Sequence, residues 1–321
     1  MRPRPPAARL VALLWGVNLI GLLAILAAVF FYIGQRPVQA AVSASPASSP
    51  VVNPIFTSPP TPRYLPTITR NPLATPIEAV TPTPFLLASG RRSTIIGLSA
   101  SGRLIEVYTF GQGARQRMIV AGIHGGYEWN TVALADELIT YLDSHPEEIP
   151  NDLTLYILRN LNPDGEARGH DNNGRANDRG VDLNRNFPTN WQVDWNRDGC
   201  WKDPPVTGGD FPASEPETRA LIRFIESHDI DALISYHSAA LGIFPGGNPW
   251  DEDSKRLAKA ISKISDYAYP PVDTGCVYTG TLADYAVETG AAAVDLELSN
   301  HLDTDLDANL RILGFFMNWE R

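Results

Sequence analysis

The chain has 321 residues, 44% of them hydrophobic, so it is long enough to bury one large core or two small ones. Its formal net charge of −10 argues against a nucleic-acid partner, because a protein that binds phosphate groups presents a basic face. The charge is spread fairly evenly along the chain and indicates no other class of partner.

The first 36 residues predict a membrane anchor. Three arginines within the first nine residues precede an apolar run over residues 10–33. A helix of that length, about 36 Å, would cross a bilayer with some tilt. The alternative is a removed signal peptide, although its apolar core would be shorter and residues 38–40 form a weak cleavage site. The arginines favour a single-pass protein with a cytoplasmic N-terminus and an extracytoplasmic C-terminal domain.

The segment over residues 37–91 is rich in Pro, Ser and Thr, with 12 prolines between Pro37 and Pro84. Proline fixes φ and removes a backbone donor, so we expect an extended, semi-rigid linker outside the membrane. Residues 92–321 then make one folded domain. The only two cysteines of the chain, Cys200 and Cys276, form either a disulfide, which an exported chain permits, or two separate thiols.

Strand patterns alternate with helix patterns after the linker. Apolar runs predict strands over residues 103–110, 118–123, 153–158, 232–236 and 291–296. Helical spacing predicts helices over residues 131–143, 257–264 and 306–313. A capping box at Ser214 and Glu217 predicts the start of one more. The alternation indicates an α/β fold, an α/β/α sandwich with a mixed, mostly parallel central sheet.

Metal-binding side chains come at the ends of three predicted strands. His124, His237 and Glu297 each occupy such an end, where the crevice of an open α/β sheet binds ligands. Glu128 is four residues after His124 at the start of a helix, so both side chains can point to one side. Two imidazoles and a carboxylate suit zinc with a fourth position open for water, and Glu297 would then be the general base.

Each of these residues also has an ordinary interpretation when it is taken alone. A single loop histidine is usually just hydrogen-bonded, and Glu128 suits the first turn of any helix, where the dipole favours an acid. Glu297 is the exception, because a lone carboxylate in an apolar strand is costly to bury. The combination therefore predicts a site that no single member would.

The polar stretch over residues 175–191 offers two arginines and an asparagine. Arg175 and Arg185 carry planar guanidinium groups that match a carboxylate, and Asn184 adds an amide. Such a set would bind the free C-terminal carboxylate of a peptide or steady an oxyanion. The structural alternative pairs Arg185 with a surface acid.

Five stretches together resemble the zinc carboxypeptidase family, the metallocarboxypeptidases of the pancreatic type and their bacterial relatives. They run in the family's order as IHGGYE, GVDLNRNF, SEPETRAL, ISYHS and VDLELS, and they span nearly all of residues 92–321. GVDLNRNF followed by PASEPETRAL is specific, whereas a His and a Glu at short spacing are not.

The resemblance implies a role for each matching residue around the metal. His124, Glu128 and His237 resemble the zinc ligands, and Glu297 resembles the glutamate that activates water. Asp182 resembles the acid that orients the first histidine, a partner that zinc-binding histidines usually need.

The resemblance also implies how a substrate would be held. Asn184 and Arg185 match the residues that bind the terminal carboxylate, and Arg175 resembles the arginine that polarises the scissile carbonyl and stabilises the oxyanion. Tyr278 is similar to the mobile tyrosine that closes over the substrate. Ala283 falls where the family tunes side-chain specificity, and it predicts neither a basic nor an acidic preference.

The loop around His124 departs from the family's pattern. Gly125, Gly126 and Tyr127 separate His124 from Glu128, where the family usually has two residues. A tyrosine at position 127 does not replace the carboxylate, so Glu128 is the expected ligand. The segment from Tyr278 to Asp284 is also two residues shorter than the familiar pattern.

A further loop, DWNRDG over residues 194–199, resembles the start of a calcium loop. Asp194, Asn196 and Asp198 stand at alternate positions before a glycine. The chelating glutamate expected later is missing, because residue 205 is proline, so an Asx-rich turn without calcium is the favoured interpretation. A bridge between Cys200 and Cys276 would tie this loop to the segment that carries Tyr278.

The expected function is that of a membrane-anchored, extracytoplasmic zinc metallocarboxypeptidase. It would hydrolyse the C-terminal amide bond of peptides with a zinc-activated water and Glu297 as general base. One alternative is a zinc-dependent amidase or deacylase acting on cell-wall peptide or acyl-amino acids. The other is a non-catalytic domain that binds peptide ends, although the retention of Glu297 argues against it.

Overall fold

The structure, a computed structural model, describes residues 85–86, 92–194, 199–201 and 205–321. The predicted anchor over residues 10–33 and nearly all of the predicted linker lie outside these ranges. Within them, no helix is both long enough and apolar enough to cross a membrane. The calcium prediction also falls largely outside them, because residues 195–198 are not described.

Eight strands of the described ranges form one mixed sheet. They are β1 (Phe85–Leu86), β2 (Arg92–Leu98), β3 (Leu104–Gly111), β4 (Arg115–Val120), β5 (Leu153–Leu158), β6 (Ile230–Ser238), β7 (Ile243–Pro245) and β8 (Ala292–Leu298). Their order in space is β1-β2-β3-β5-β4-β6-β8-β7. The adjacent strands β5, β4, β6 and β8 pair in parallel, and the remaining pairings are antiparallel. The predicted mixed sheet is confirmed, with its parallel part between antiparallel flanks.

Six α-helices of the described ranges cover both faces of the sheet. They are α1 (Trp129–Ser144), α2 (Pro163–Ala167), α3 (Pro216–Glu226), α4 (Glu252–Ile261), α5 (Leu282–Glu288) and α6 (Leu306–Asn318). Apolar residues of α1, α4 and α6 pack in the core on one face, and those of α3 and α5 pack in the core on the other. The predicted three-layer α/β/α sandwich is therefore confirmed.

The parallel strands are apolar on both faces because helices cover both. All six residues of β5 are buried. In β6, Ile234 and Tyr236 pack in the core with α1, whereas Leu233 packs in the core with α3 and α5. Side chains alternate along a strand, so Ser235 and His237 share the face of Leu233.

The strand ends differ from the predicted ones in a way that matters for the site. Strand β4 ends at Val120, although the Ala121 N–H still bonds to the Leu158 carbonyl at 3.0 Å. His124 therefore lies on a loop and not at the end of a strand. His237 and Glu297, by contrast, lie within β6 and β8.

The predicted capping box at the start of α3 is wrong, although the helix begins where it was expected. Glu215 is the N-cap, and no side chain caps the helix. The Ser214 hydroxyl donates to Glu215 Oε1 at 2.7 Å and accepts from Asn186 Nδ2 at 3.0 Å, so it serves the neighbouring loop. Glu217 accepts a hydrogen bond from the Ala100 N–H at 2.8 Å, so its carboxylate does not take part in a capping box.

A disulfide joins Cys200 to Cys276, which settles the alternative that the sequence left open. The two Cα atoms lie 4.7 Å apart although 76 residues separate them in the chain. Gly199 packs against the same partner loop, because a Cβ there would lie 2.1 Å from the Thr274 carbonyl oxygen. The bridge therefore ties the segment before Trp201 to the loop that leads into Tyr278.

Candidate metal centre and its cleft

Two glycines allow the loop after β4 to bring His124 and Glu128 together. Gly126 has a φ of +67°, which residues with a side chain rarely adopt, and a Cβ there would lie 2.1 Å from the Asp171 carbonyl oxygen. A Cβ on Gly125 would lie 2.4 Å from the backbone of α2. The loop thus turns tightly onto neighbouring backbone, and His124 Nδ1 comes to lie 2.9 Å from Glu128 Oε1.

The extra residue of this loop is accommodated at the surface. Tyr127 is 44% exposed and stacks on His301 with ring centroids 5.5 Å apart. Glu128, the next residue, is 7% exposed and reaches the interior. The three-residue spacing therefore leaves Glu128 beside His124, as the sequence predicted.

Asp182 fixes the orientation of His124 from behind. Asp182 Oδ1 lies 2.8 Å from His124 Nε2 and also accepts the Asn184 N–H, while Oδ2 accepts from Arg175 Nε at 3.0 Å. Burial alone would raise the pKa of Asp182, but Arg175 and His124 hold that pKa well below its usual range. An ionised acceptor keeps the ring proton on Nε2, which leaves the Nδ1 lone pair of His124 facing Glu128.

His237 is positioned by the sheet itself. Strands β6 and β8 are parallel, and in their register His237 pairs with Glu297 and Ser235 pairs with Asp295. His237 Nδ1 lies 3.2 Å from Glu128 Oε2, and its Nε2 lies 3.2 Å from the Ser235 hydroxyl. The second imidazole thus meets the same carboxylate as the first, with its Nδ1 atom again in front.

The geometry fits a zinc ion. Ligand atoms of His124, Glu128 and His237 all lie within 4.8 Å of one another, and all three residues are buried. His124 Nδ1 makes no hydrogen bond although it is sealed from water, and its contact with Glu128 brings a lone pair against a carboxylate. Such a contact repels unless a proton or a metal ion lies between the atoms, and two imidazoles with one carboxylate are a donor set for zinc.

The charges of these ligands depend strongly on one another. Burial alone would raise the pKa of Glu128, but His124 and His237 hold it well below its usual range. Burial alone would lower the pKa of His237, but Asp295 and Glu128 raise it to about 10. A metal ion therefore competes with a proton for His237 Nδ1, so binding strengthens as the pH rises.

Glu297 faces this centre without a fixed partner. It is half-buried, lines the same cleft, and its Oε2 makes no hydrogen bond. Burial and the nearby Glu128 carboxylate raise its pKa to about 8. A carboxyl group that titrates near neutral pH is well matched to taking up and returning a proton, which is the role predicted for it.

Arg175 lies directly beside the ligands. Its Nη1 donates to Glu128 Oε1 at 3.0 Å, and its Nη2 lies 2.9 Å from Asp182 Oδ2. Its guanidinium lies 5.3 Å from the centre of the Trp201 ring. Burial alone would lower the pKa of Arg175, but Asp182 and Glu128 raise it, so the group is a permanent cation.

Arg185 and Tyr278 lie against each other on the wall of the same cleft. Arg185 is 4% exposed, and its guanidinium lies 5.1 Å from the centre of the Tyr278 ring. Asn184 points inward, since its Oδ1 accepts the Leu282 N–H at 2.8 Å and its Nδ2 donates to Asp295 Oδ2 at 3.2 Å. That Asn184 contacts a substrate carboxylate remains a prediction, because both ends of its amide are engaged within the protein.

One cleft of about 1070 Å³ connects the predicted site residues. It is lined by His124, Glu128, Arg175, Asn184, Arg185, His237, Tyr278 and Glu297. Asp182 stands behind His124. Trp201 and Asp295 are among the lining residues to which sequence reasoning gave no role. For Trp201 no motif gave a signal, whereas Asp295 interrupts an otherwise apolar strand, which was the available clue.

A model of a known protein family matches most of the region that carries this site. The family model for zinc carboxypeptidases matches residues 89–303. The chain belongs to the zinc carboxypeptidase family. This confirms the resemblance drawn from the five motifs. The family's name and the buried ligand set of two imidazoles and a carboxylate both indicate zinc as the metal.

Two curated relatives illustrate the range of the family. Murein peptide amidase A of Escherichia coli K12 is 36% identical over 126 residues, which cover 37% of this chain and 48% of the relative. Carboxypeptidase A6 of Homo sapiens is 28% identical over 231 residues, which cover 61% of this chain and 52% of the relative. The chain thus spans about half the length of these two relatives.

A solved structure supports the fold. The crystal structure of the murein-tripeptide amidase from Escherichia coli O157 matches with a TM-score of 0.53 and 24% sequence identity. The match covers 71% of this chain and 92% of that one. At this identity the similarity shows that the two share their α/β architecture.

Proposed function

We propose that the protein is a zinc-dependent carboxypeptidase that hydrolyses the amide bond before the C-terminal residue of a peptide. The position of Glu297 carries this proposal. It pairs with His237 in the register of two parallel strands and lines the cleft of the three metal-type ligands with a free oxygen. A carboxylate held there can accept the proton of an attacking water and return it to the leaving amine.

The two arginines support a substrate with a free carboxylate. Arg185 is a buried cation on the cleft wall, and its planar fork matches a carboxylate with two parallel hydrogen bonds. Arg175 is held beside Glu128 and would stabilise negative charge that develops on the carbonyl oxygen. Tyr278, which stacks on Arg185, would cover the bound residue and exclude water.

His124, Glu128 and His237 would hold the zinc ion. Zinc bound by such a set supplies Lewis-acid activation and lowers the pKa of water. Asp182 keeps the Nδ1 atom of His124 directed at the centre. The register of β6 and β8 keeps Glu297 next to His237 without help from flexible side chains.

A second candidate is a hydrolase of cell-wall peptide amides. The similarity to murein peptide amidase A over 126 residues favours it. The same residues would perform the hydrolysis in both cases. The candidates differ in whether the cleaved bond must precede a residue with a free α-carboxylate at the end of an ordinary peptide.

Hydrolysis assays on the zinc-loaded full-length protein test the proposal. The substrates are peptides with a free C-terminus, the same peptides as C-terminal amides, and murein tripeptide. We expect chelator-sensitive release of single C-terminal residues from the free acids alone. Glu297→Gln should lower kcat by about 10²- to 10⁴-fold with zinc still bound, and the exposed Glu147→Gln serves as control.

The possible results separate the candidates. Cleavage of murein tripeptide without cleavage of ordinary peptides would favour the cell-wall amidase. Binding of one zinc equivalent without cleavage of any substrate would contradict both and favour a domain that binds peptide ends.

We also propose that the apolar segment over residues 10–33 anchors the protein in a membrane, with the catalytic domain on the extracytoplasmic side. The proposal rests on the length of the segment and on the arginines before it. Fractionation with alkaline washing tests the anchor, and protease treatment of intact cells tests the side. Recovery of the full-length protein in the soluble fraction would contradict it.

A further inference from the structure

His301 is a cleft residue to which the proposed reaction gives no task. It lies on the loop after β8, four residues beyond Glu297, and it lines the cleft of the metal centre. Its ring stacks on Tyr127, the extra residue of the loop that carries Glu128. What this imidazole offers to a substrate depends on which of its nitrogens is left free.

The loop that carries His301 is held by its own polar side chains. Asn300 Oδ1 accepts the Leu302 N–H at 2.7 Å. The Asp305 carboxylate accepts both the N–H and the hydroxyl of Ser299, at 2.8 and 2.7 Å. Local bonds of this kind close the backbone into a turn. The loop therefore presents His301 from a defined position.

The protons of one hydrogen-bond chain behind His301 can be assigned from its buried end. Asn130 Nδ2 donates to the carbonyl oxygens of Asn300 and Asp303, each at 2.8 Å, which identifies the nitrogen of this amide. Asn130 Oδ1 is then an acceptor, and the Ser238 hydroxyl donates to it at 2.9 Å. With its proton used, the Ser238 hydroxyl accepts from His301 Nδ1 at 3.0 Å, so that nitrogen carries a proton.

The second ring nitrogen of His301 is left for a ligand. With Nδ1 protonated, the neutral ring has its lone pair on Nε2. Within the part of the chain that the structure describes, the bond from Nδ1 to Ser238 is the ring's only hydrogen bond. His301 is also not a member of the group of His124, Glu128 and His237 that could hold the metal ion. A lone pair beside the cleft accepts a hydrogen bond, and the backbone N–H groups of a peptide are donors.

His301 and Arg185 border the metal centre from different elements. Ser238, which holds His301, directly follows the ligand His237 at the end of β6. Arg185 comes from the polar stretch between α2 and α3, and its guanidinium lies against Tyr278. His301 and Arg185 line the same cleft. A peptide with its terminal carboxylate on Arg185 and its scissile carbonyl at the centre would extend its preceding residue towards His301.

We propose that His301 Nε2 accepts a hydrogen bond from the backbone N–H of the residue that precedes the cleaved bond. This inference rests on the proposed carboxypeptidase function and names its substrate class, which is peptides and not simple acyl-amino acids. An acyl group without that N–H leaves Nε2 without a donor. The stack on Tyr127 and the bond to Ser238 hold the ring in advance, so little side-chain entropy is lost when substrate binds.

The test uses zinc-loaded full-length protein and two substrates that differ in a single group. N-acetyl-alanyl-leucine carries the N–H, and O-acetyl-lactyl-leucine has an ester oxygen in its place. The amide bond that releases leucine is the same in both. We expect kcat/KM to favour the alanyl substrate by about threefold to tenfold, mainly through KM, because the contact is remote from the reacting bond.

Two substitutions of His301 separate a substrate contact from a structural role. The amide of His301→Asn lies close to the position of Nδ1 and can keep the bond to Ser238, whereas the amide of His301→Gln reaches the position of Nε2. We expect the alanyl-to-lactyl ratio of kcat/KM to fall towards one in His301→Asn and to stay above about twofold in His301→Gln. A ratio that survives in His301→Asn would overturn the proposal, because another group would then recognise the N–H.

The matched control is His170→Asn. His170 likewise stacks on an aromatic ring, that of Trp129, with ring centroids 4.5 Å apart, but it is exposed and does not line the cleft. We expect kcat/KM for both substrates to stay within about twofold of the wild type, as for most surface substitutions. An equal fall of the ratio in His170→Asn and His301→Asn would overturn the proposal.

Further outcomes separate this proposal from its foundation. Equal cleavage of both substrates by the wild type would overturn the contact and leave the carboxypeptidase intact. Faster cleavage of N-propionyl-leucine than of the alanyl substrate would overturn it in favour of an acylase. Loss of zinc in His301→Asn with an equal loss on both substrates would also overturn it and make His301 a support for Ser238.

A binding measurement keeps the inference testable if no substrate is cleaved. Calorimetry on zinc-loaded Glu297→Gln compares the affinities of the alanyl and lactyl substrates directly. Tighter binding of the alanyl substrate, lost in Glu297→Gln/His301→Asn, would uphold the contact even in a domain without turnover. Equal affinities would overturn it.

Discussion

The cleft is built from two halves that are held in place by different means. The strand-borne half consists of His237, Ser235, Asp295 and Glu297, which lie on the adjacent parallel strands β6 and β8. The loop-borne half lies between the regular elements and consists of His124, Glu128, Arg175, Asp182 and Tyr278.

The strand-borne half needs few side-chain contacts because the sheet positions it. Two pairs of register partners lie on one face of these strands, and His237 Nε2 has its closest partner, Ser235, at 3.2 Å. The loop-borne half depends on short polar contacts, among them His124 to Asp182 at 2.8 Å. Backbone pairing in the sheet therefore carries much of the positioning of His237, with the Ser235 hydroxyl and the Asp295 carboxylate behind its ring.

The largest expected effect comes from the removal of one histidine from each half. His124→Ala and His237→Ala should each abolish zinc binding at one equivalent and lower kcat/KM by about 10³-fold or more, because both supply a donor atom to one small centre. Zinc content after dialysis and steady-state kinetics check this. The half-buried His145 lies outside this centre, and His145→Ala should bind zinc and turn over substrate as the wild type does.

Substitutions behind the two histidines should lower the zinc affinity by different amounts in the two halves. Asp182→Asn should weaken zinc binding by about 10- to 100-fold, since a loop histidine loses both its orientation and its ring proton's partner. Ser235→Ala should weaken zinc binding by less than about threefold, because the strand still directs His237. Competition with a chelator measures both affinities, and equal losses would contradict the comparison.

The sequence allowed most of the strand-borne half to be predicted. Continuous apolar runs mark buried parallel strands, and polar residues at their carboxyl ends meet at one edge of a sheet. His237 and Glu297 followed from that reasoning. Their pairing in register could not be predicted, because tertiary packing decides which strands become neighbours in the sheet.

The loop-borne half was predictable mainly through the family's motifs. The spacing of His124 and Glu128 gives no geometry without the two glycines packed against α2 and residues 171–174. The capping box failed for a related reason, since the Ser214 hydroxyl was recruited by a loop distant in the chain. Side chains in loops follow tertiary contacts, and local propensity does not decide among them.

The disulfide tests how far the loop-borne half depends on cross-links. The double variant Cys200→Ser/Cys276→Ser breaks the bridge between two loops. One loop leads to Trp201, whose ring lies against Arg175. The other leads to Tyr278, whose ring lies against Arg185. We expect KM to rise on the order of threefold to tenfold with a smaller change in kcat, because substrate must order these aromatic groups.

Zinc content is the control for this variant and should remain at one equivalent, since no metal ligand is altered. Reduction of the wild type under native conditions should reproduce the rise in KM. The free energy of unfolding should fall by about 2–4 kcal/mol. An unchanged KM would show that the two loops hold their aromatic groups without the bridge.

The smallest expected effect concerns the ionisation of Glu297 in the strand-borne half. In chelator-treated protein the pKa of Glu297 is about 8 when folded, against 4.5 for a free glutamate. Between these values the folded state binds more protons than the unfolded state, so the free energy of unfolding falls as the pH rises. Glu297→Gln lacks this loss, so its melting temperature should match the wild type near pH 4 and exceed it by a few degrees at pH 8.

Zinc decides whether this difference comes from the metal centre. A bound cation favours the ionised carboxylate, so the gap between Glu297→Gln and the wild type at pH 8 should shrink when zinc is restored. Glu147→Gln, an exposed position in the short turn after α1, is the control substitution for these melting measurements. A gap that stays the same with and without zinc would mean that burial in the sheet, and not the empty centre, raises the pKa of Glu297.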